Sequence, residues 1–245
     1  MPIASKFTPI LEQEYEINFL LCYPNGLLKY TELCNLLQIT AGNHADLGGI
    51  SYLDMQAHNQ AWVMNKMRLE IDKLPKWGDK IIIKTWIKSL ENSRSVRSME
   101  VYLNNEKIIA CESYWAVLNT QTRKSDTLAL NHAHFEIFNI NATNQSTVKI
   151  DIEEKAEEIG THKVVLSDLD IVNHVNNVKY MEWCLDFENP KHLLKQELKA
   201  IDINFMRELN LGDEALIKES KADKISIYSI DKEIKSVYAL KIEWR

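Results

Sequence analysis

Apolar positions along the chain change period in the same way twice. Leu27, Tyr30, Cys34 and Leu37 recur at three- and four-residue spacing, which predicts a helix. Leu28, Leu33 and Leu36 spread its apolar surface around much of the circumference, as in a helix wrapped by other structure. Strands are predicted next, over 60–74, 79–89, 94–103 and 107–118. In the third of these, Arg97, Met99, Val101 and Leu103 alternate with Ser98, Glu100 and Tyr102, the two-residue period of a sheet, and Asn104-Asn105-Glu106 is its hairpin turn.

The second half repeats this order. Val175, Val178, Met181 and Leu185 mark a helix that Pro190 is expected to end. Strands are predicted over 199–209, 213–220, 224–230 and 234–244, the last with Ile234, Tyr238, Leu240, Ile242 and Trp244 on one face. Two local matches reinforce the repeat. Leu28-Lys29-Tyr30-Thr31-Glu32-Leu33-Cys34 resembles Val178-Lys179-Tyr180-Met181-Glu182-Trp183-Cys184 at a shift of 150, and Trp77-Gly78-Asp79-Lys80 resembles Leu211-Gly212-Asp213-Glu214. Between the copies, about 126–160 is polar and ends in an acidic run, Asp151 to Glu158, which reads as a solvated connector. A helix followed by an antiparallel meander buries itself on the sheet's concave face. The expected fold is α+β, a double hotdog of two helix-wrapped antiparallel sheets in tandem: domain 1–135, linker 136–160, domain 161–245.

Composition narrows the class. At 245 residues and 45% hydrophobic content the chain can build two small cores, and 26% charged residues of both signs argue against disorder. A net charge of -6 disfavours nucleic acid as the main partner. Cys22, Cys34, Cys111 and Cys184 form no C-x-x-C pair, so neither a metal site nor a disulfide framework is indicated. No stretch has the length of a membrane-spanning helix and the first residues lack a signal-peptide core, so a cytoplasmic protein that binds no membrane is expected.

Chemistry concentrates in residues 167–180, Ser-Asp-Leu-Asp-Ile-Val-Asn-His-Val-Asn-Asn-Val-Lys-Tyr. Carboxylates, carboxamides and an imidazole crowd a helix start, where backbone N–H groups lack intrahelical partners and the dipole favours negative charge. A reaction passing through an oxyanion suits such a place, and the N–H groups of Val175 and Asn176 are the candidate donors. One cap needs one such residue, and the excess points to catalysis. His162 and His192 have no evident acidic partner, and His44 and His58 look incidental. Tyr180 reads as a packing residue.

These residues also resemble a known family, the acyl-acyl-carrier-protein thioesterases of plants and bacteria. The resemblance rests on Ser167-Asp168-Leu169-Asp170 with His174-Val175-Asn176-Asn177-Val178-Lys179-Tyr180, on Trp62-Val63-Met64-Asn65-Lys66-Met67, on Leu74-Pro75-Lys76-Trp77-Gly78-Asp79 with Thr85-Trp86, and on Trp115-Ala116-Val117-Leu118-Asn119 leading to Thr122-Arg123-Lys124. It implies hydrolysis of the thioester joining a fatty acyl chain to carrier-protein phosphopantetheine, ending chain elongation, with no cofactor and no metal. It assigns catalytic roles to Asp170, His174 and Glu208, the last expected on a strand. Two positions depart from the family pattern. Val172 replaces an asparagine, so Asn173 is the residue left to supply a carboxamide, and Leu209 stands where many plant members carry cysteine.

Asp170 can activate water or attack directly, and His174 can activate water, hold Asp170 or protonate the leaving sulfur. The first copy has Pro24-Asn25-Gly26-Leu27 at the matching place, so one active site per chain is expected, with the first copy supplying the acyl tunnel. The implied partner is an acidic acyl carrier protein, to be met by some of Lys66, Arg68, Lys163, Lys179, Lys199 and Arg207; a homodimer is also compatible. The alternatives are an acyl-coenzyme A thioesterase of the same fold and an acyl-binding module impaired by Val172.

Overall fold

The computed structural model describes residues 3–153, 156–195 and 198–245. It divides into two compact units, residues 1–65 with 72–146, and residues 66–71 with 147–245. The first unit holds β1 (Ile10–Glu16), α1 (Tyr30–Leu47), α2 (Tyr52–Gln56), the first half of β2 (Gln60–Ile71), β3 (Lys80–Glu91), β4 (Arg94–Leu103) and β5 (Glu106–Asn119). Its strands lie in the order β1-β3-β4-β5-β2. The second unit holds β6 (Glu157–Lys163), α3 (Asn177–Leu185), α4 (Pro190–Leu194), β7 (Leu198–Phe205), β8 (Glu214–Ala222), β9 (Ile225–Lys232) and β10 (Lys235–Trp244). Its order is β7-β10-β9-β8-β6, with the second half of β2 antiparallel to β7. Each unit packs one long helix on an antiparallel sheet, and the two make a double hotdog. Among the described residues no helix is long and apolar enough to cross a membrane.

The expected helices and meanders form, with corrections where polar alternation hid a strand. β1 and β6 are short first strands with no fully buried residue, alternating between exposed and half-buried in β1, and so give little apolar signal. β6 uses Glu157 and Glu158 of the acidic run. The stretch 126–150 is not a solvated connector, because Phe135, Ala142 and Ile150 are buried. Phe135 packs against Gly48, where an added Cβ would stand 2.1 Å from the ring. α3 ends at Leu185, and Pro190 opens α4 under an Asn189 cap, where its missing N–H costs nothing. Ile234 is 95% exposed because the β9–β10 hairpin turns there, with a register shift between Ser236 and Tyr238.

The duplication is visible in matching hydrogen bonds. In the first unit the Ile17 amide donates to Asp79 O, Tyr23 to Leu27 O, Gly26 to Tyr23 O, Leu28 to Pro75 O and Lys29 to Leu21 O. In the second the same bonds run from Val164 to Asp213 O, Asp170 to His174 O, Asn173 to Asp170 O, Val175 to Leu209 O and Asn176 to Asp168 O. Gly78 and Gly212 share φ +84°, and Asp79 and Asp213 each accept from the amide three residues earlier. The loops and helix starts, Tyr30 and Asn177, correspond at 147 positions rather than 150. The Lys-Tyr-x-Glu-x-Cys identity is therefore three residues, about one helical turn, out of structural register. It survives because residues three apart share a helix face, so Tyr30, Cys34, Tyr180 and Cys184 all reach a core.

Each unit buries an arginine. In the second, Arg68 lies between Asp202 at 2.6 Å and Glu70 at 2.9 Å. It is 3% exposed, so it is no candidate for carrier contact. In the first, Arg97 Nη1 donates to His44 Nδ1 at 2.8 Å and Thr85 Oγ1 at 3.0 Å. A guanidinium only donates, so His44 Nδ1 accepts and Nε2–H donates to Thr8 O at 2.9 Å. His44 is thus a structural core residue, stacked on Phe7 at 5.4 Å. Burial, then the Arg97 charge, push its pKa from 6.5 down to about 3. Below its ordinary value the unfolded chain takes up a proton that the native His44 refuses, so this contribution to stability is lost as pH falls from 6.5 towards 3. Thermal unfolding followed by circular dichroism is expected to show the melting temperature dropping over that range, and His44→Gln to flatten the drop.

Candidate active site

The site grows from the turn that follows β6. Asp168 is buried and its Oδ2 accepts from the Val165 amide at 2.9 Å, closing a short 3-10 turn over Leu166–Asp168. The same oxygen lies 2.8 Å from His162 Nε2, and the His162 ring stacks on Trp183 of α3 at 4.2 Å. His162 therefore has the acidic partner that its sequence neighbourhood did not reveal. The pairing depends on strand β6 running back past the turn, which residue spacing does not encode.

Leu169 and Val175 then bridge, pinching off the loop 170–174. Asp170 Oδ1 accepts from the amides of Val172 at 3.0 Å and His174 at 3.3 Å, an Asx-type turn that fixes the carboxylate. Asn173 adopts φ +64°, the left-handed slot that Gly26 fills in the first unit, and Asn is among the residues that tolerate it. Its side chain is exposed, and its carboxamide bonds to none of Asp170, His174 or Glu208. Asn176 caps α3, its Oδ1 accepting from the Val178 amide at 3.0 Å.

The chain returns to this loop after β7. That strand ends at Phe205, because the Met206 and Arg207 amides both turn to Val237 O. Glu208 is consequently off the strand, and its Oε2 lies 3.4 Å from His174 Nε2. Leu209 holds it there: its carbonyl accepts from the Val175 amide at 3.0 Å and its amide donates to Tyr180 Oη at 3.0 Å. Tyr180 also stacks on Tyr238 at 5.2 Å, and burial pushes its phenol up, so the hydroxyl stays neutral. Asp170, His174 and Glu208 are thus gathered on one loop and the segment facing it.

The two amides expected to hold an oxyanion are not available in this arrangement. The Val175 amide is bonded to Leu209 O and the Asn176 amide to Asp168 O, because α3 starts later than the apolar period suggests and both residues belong to the loop scaffold. The first unit makes the same two bonds from Leu28 and Lys29, where Tyr23 and Leu27 stand at the places of Asp170 and His174.

Two family profiles match the chain, the acyl-ACP thioesterase N-terminal domain over residues 9–132 and the C-terminal domain over 151–245. The chain belongs to the acyl-ACP thioesterase family. It is 30% identical over 193 residues to the chloroplastic palmitoyl-acyl carrier protein thioesterase of Gossypium hirsutum, an alignment that covers 72% of this chain and 46% of that one. It is also 30% identical over 217 residues to the chloroplastic oleoyl-acyl carrier protein thioesterase of Coriandrum sativum, covering 78% and 58%. The chain spans about half the length of the curated relatives it matches. Among solved structures, an acyl-ACP thioesterase from Bacteroides thetaiotaomicron superposes with TM-score 0.89 at 22% identity, covering 97% of this chain and 98% of that one. The 12:0-ACP thioesterase from Umbellularia californica gives TM-score 0.86 at 19% identity with the same coverage, and these two structures speak for the fold.

Tyr180 is the support most exposed to a conservative test. Tyr180→Phe keeps the ring stack but leaves the buried Leu209 amide without its acceptor, which costs ~1–3 kcal/mol. Urea unfolding of the variant should show that loss, and a stability equal to the parent would mean that the Tyr180–Leu209 bond contributes nothing.

Proposed function

We propose that this chain is an acyl-[acyl-carrier-protein] hydrolase. It cleaves the thioester between a fatty acyl group and carrier-protein phosphopantetheine, releasing the free acid and terminating elongation. The observation that carries the reading is the gathering of Asp170, His174 and Glu208 in the unit matched by the family's C-terminal domain, while the equivalent loop of the other unit has neither acid nor imidazole.

In this mechanism Glu208 accepts from His174 Nε2 and fixes the tautomer, leaving Nδ1 to take a proton from water. Asp170 is pinned through Oδ1 by two amides, and its Oδ2 orients that water. Hydroxide adds to the carbonyl carbon, the carbon–sulfur bond breaks, and the proton held on His174 passes to the departing thiolate. Val172 takes part through its backbone amide, so a valine there is compatible with activity. Leu209 acts through its backbone as well, so no cysteine is required at that position.

The first unit supplies the acyl site. It contains a pocket of about 240 Å³ walled by Ala41, Ala45, Ile50, Trp62, Ile87 and Trp115. Exposed cations for an acidic carrier protein are Lys163, Lys199 and Arg207, whereas Lys66 is half-buried and Lys179 is engaged by Glu182 at 3.0 Å. The four free cysteines suit a reducing compartment and favour the cytoplasm.

Thiol release from purified protein tests the assignment. Asp170→Asn and His174→Ala should each lower kcat on acyl-carrier-protein by about a hundredfold or more with the fold intact by circular dichroism. Faster turnover of the matched acyl-coenzyme A would reverse the substrate assignment. Val172→Asn should leave the rate unchanged, whereas a large gain would identify the native site as impaired.

A further inference from the structure

The pocket of the first unit has one wall that does not suit a plain hydrocarbon. Most of its surface is apolar, and both of its indoles have spent their N–H groups elsewhere, Trp62 on Ile50 O at 3.1 Å and Trp115 on Ser113 Oγ at 2.8 Å. Yet Ser95 and Arg97, two residues apart on one face of β4, both line it, and each is only 5% exposed.

Arg97 is set up differently from Arg68. Arg68 meets three carboxylates, Asp202, Glu70 and Glu243. Arg97 meets none: among the described residues no Asp or Glu lies within ion-pair distance, and its partners are the neutral acceptors His44 Nδ1 and Thr85 Oγ1, both on Nη1. Its remaining N–H groups make no hydrogen bond among the described residues, and neither does the Ser95 hydroxyl. A buried cation with donors turned to a cavity is costly unless something in the cavity accepts from it. An unsubstituted chain filling the pocket would displace water from the guanidinium and return no hydrogen bond.

We propose that this pocket selects acyl chains bearing an oxygen function, a hydroxyl or oxo group placed to accept from Arg97 and Ser95, over unsubstituted chains of the same length. The inference rests on the reading of the pocket as the acyl site and specifies its substrate class. The physical basis is asymmetric: a site built to bond a substrate oxygen penalises the analogue that lacks it far more than an apolar pocket penalises an added hydroxyl. The His44 and Thr85 contacts hold the guanidinium plane in place, so the selection is made by a fixed group.

The test separates binding from turnover. The probes are acyl-pantetheine amides, in which nitrogen replaces the thioester sulfur so that nothing is hydrolysed, one unsubstituted and a set with the hydroxyl moved along the chain. Isothermal titration with the full chain should give, for at least one hydroxylated probe, a Kd about tenfold or more below that of the unsubstituted one. Arg97→Met should abolish that ratio and Arg97→Lys keep part of it. If Arg97→Met does not fold, Ser95→Ala, which removes one hydroxyl, should narrow the ratio instead.

An unsubstituted probe binding as tightly as every hydroxylated one overturns the proposal, as does a ratio that persists in the variants. Absence of binding by all probes overturns both this proposal and the acyl-site reading. Tight, hydroxyl-selective binding without release of thiol from the corresponding carrier-protein thioesters would sink the hydrolase assignment alone.

Discussion

The site of this protein hangs on Leu209. Its carbonyl takes the Val175 amide at the end of the 170–174 loop and its amide gives to the Tyr180 hydroxyl on α3. The segment after β7 is thereby tied to the loop and to the helix that follows it, some thirty residues earlier in the chain, and Glu208, its neighbour, is delivered to His174. A glutamate leaving a strand end with no such tether would sample many rotamers, and ordering it would cost entropy on each encounter. The tether is made of backbone groups and a phenol, which is why a leucine can occupy a place where the family pattern often has a reactive residue.

The same backbone scaffold stands in the first unit, with the Pro75 carbonyl in the place of Leu209's and Tyr23 and Leu27 in the places of Asp170 and His174, but proline has no amide, so the bond to Tyr180 has no counterpart there. The loop is therefore first a structural device, a way of ending an edge strand, crossing a short turn and starting a core helix. Asp170 and His174 stand in one copy and Tyr23 and Leu27 in the other without disturbing the shared backbone hydrogen bonds. Asn173 shows the order of constraints: the backbone needs a left-handed residue there, glycine meets the need in one copy and asparagine in the other. The amides that a helix start offers in principle are used up by this scaffold, so the loop's stability and an oxyanion role for Val175 and Asn176 exclude each other.

The two units also treat buried positive charge in opposite ways. Arg68 is neutralised by carboxylates on its own and adjoining strands, which serves the integrity of its sheet. Arg97 is held by two neutral groups and left uncompensated beside a cavity. Burial brings it down to about 10, still cationic at neutral pH. The folded protein bears that cost in the first unit, whose loop has Tyr23 and Leu27 where the second has Asp170 and His174.

Periodicity alone was enough for the helices, the long strands and the repeat, because burying one face of a helix or sheet writes a period into the residues. β1 and β6 escaped it: edge strands bury little, and the acids that open β6 continue the run that reads as a connector. The candidates Asp170 and His174 came from a local motif and Glu208 from the resemblance alone; the fold sets Glu208 3.4 Å from His174, although off the strand where it was expected. What the sequence could not reveal were the relations closed through space: Asp168 with His162, Leu209 with Val175 and Tyr180, His44 with Arg97. Whether a helix-start amide is free, whether a histidine has an acid, and whether an arginine has a counter-charge depend on which strands lie alongside. Hydrogen bonding and desolvation are set by distances of a few ångströms between residues far apart in the chain, and only the tertiary structure decides those.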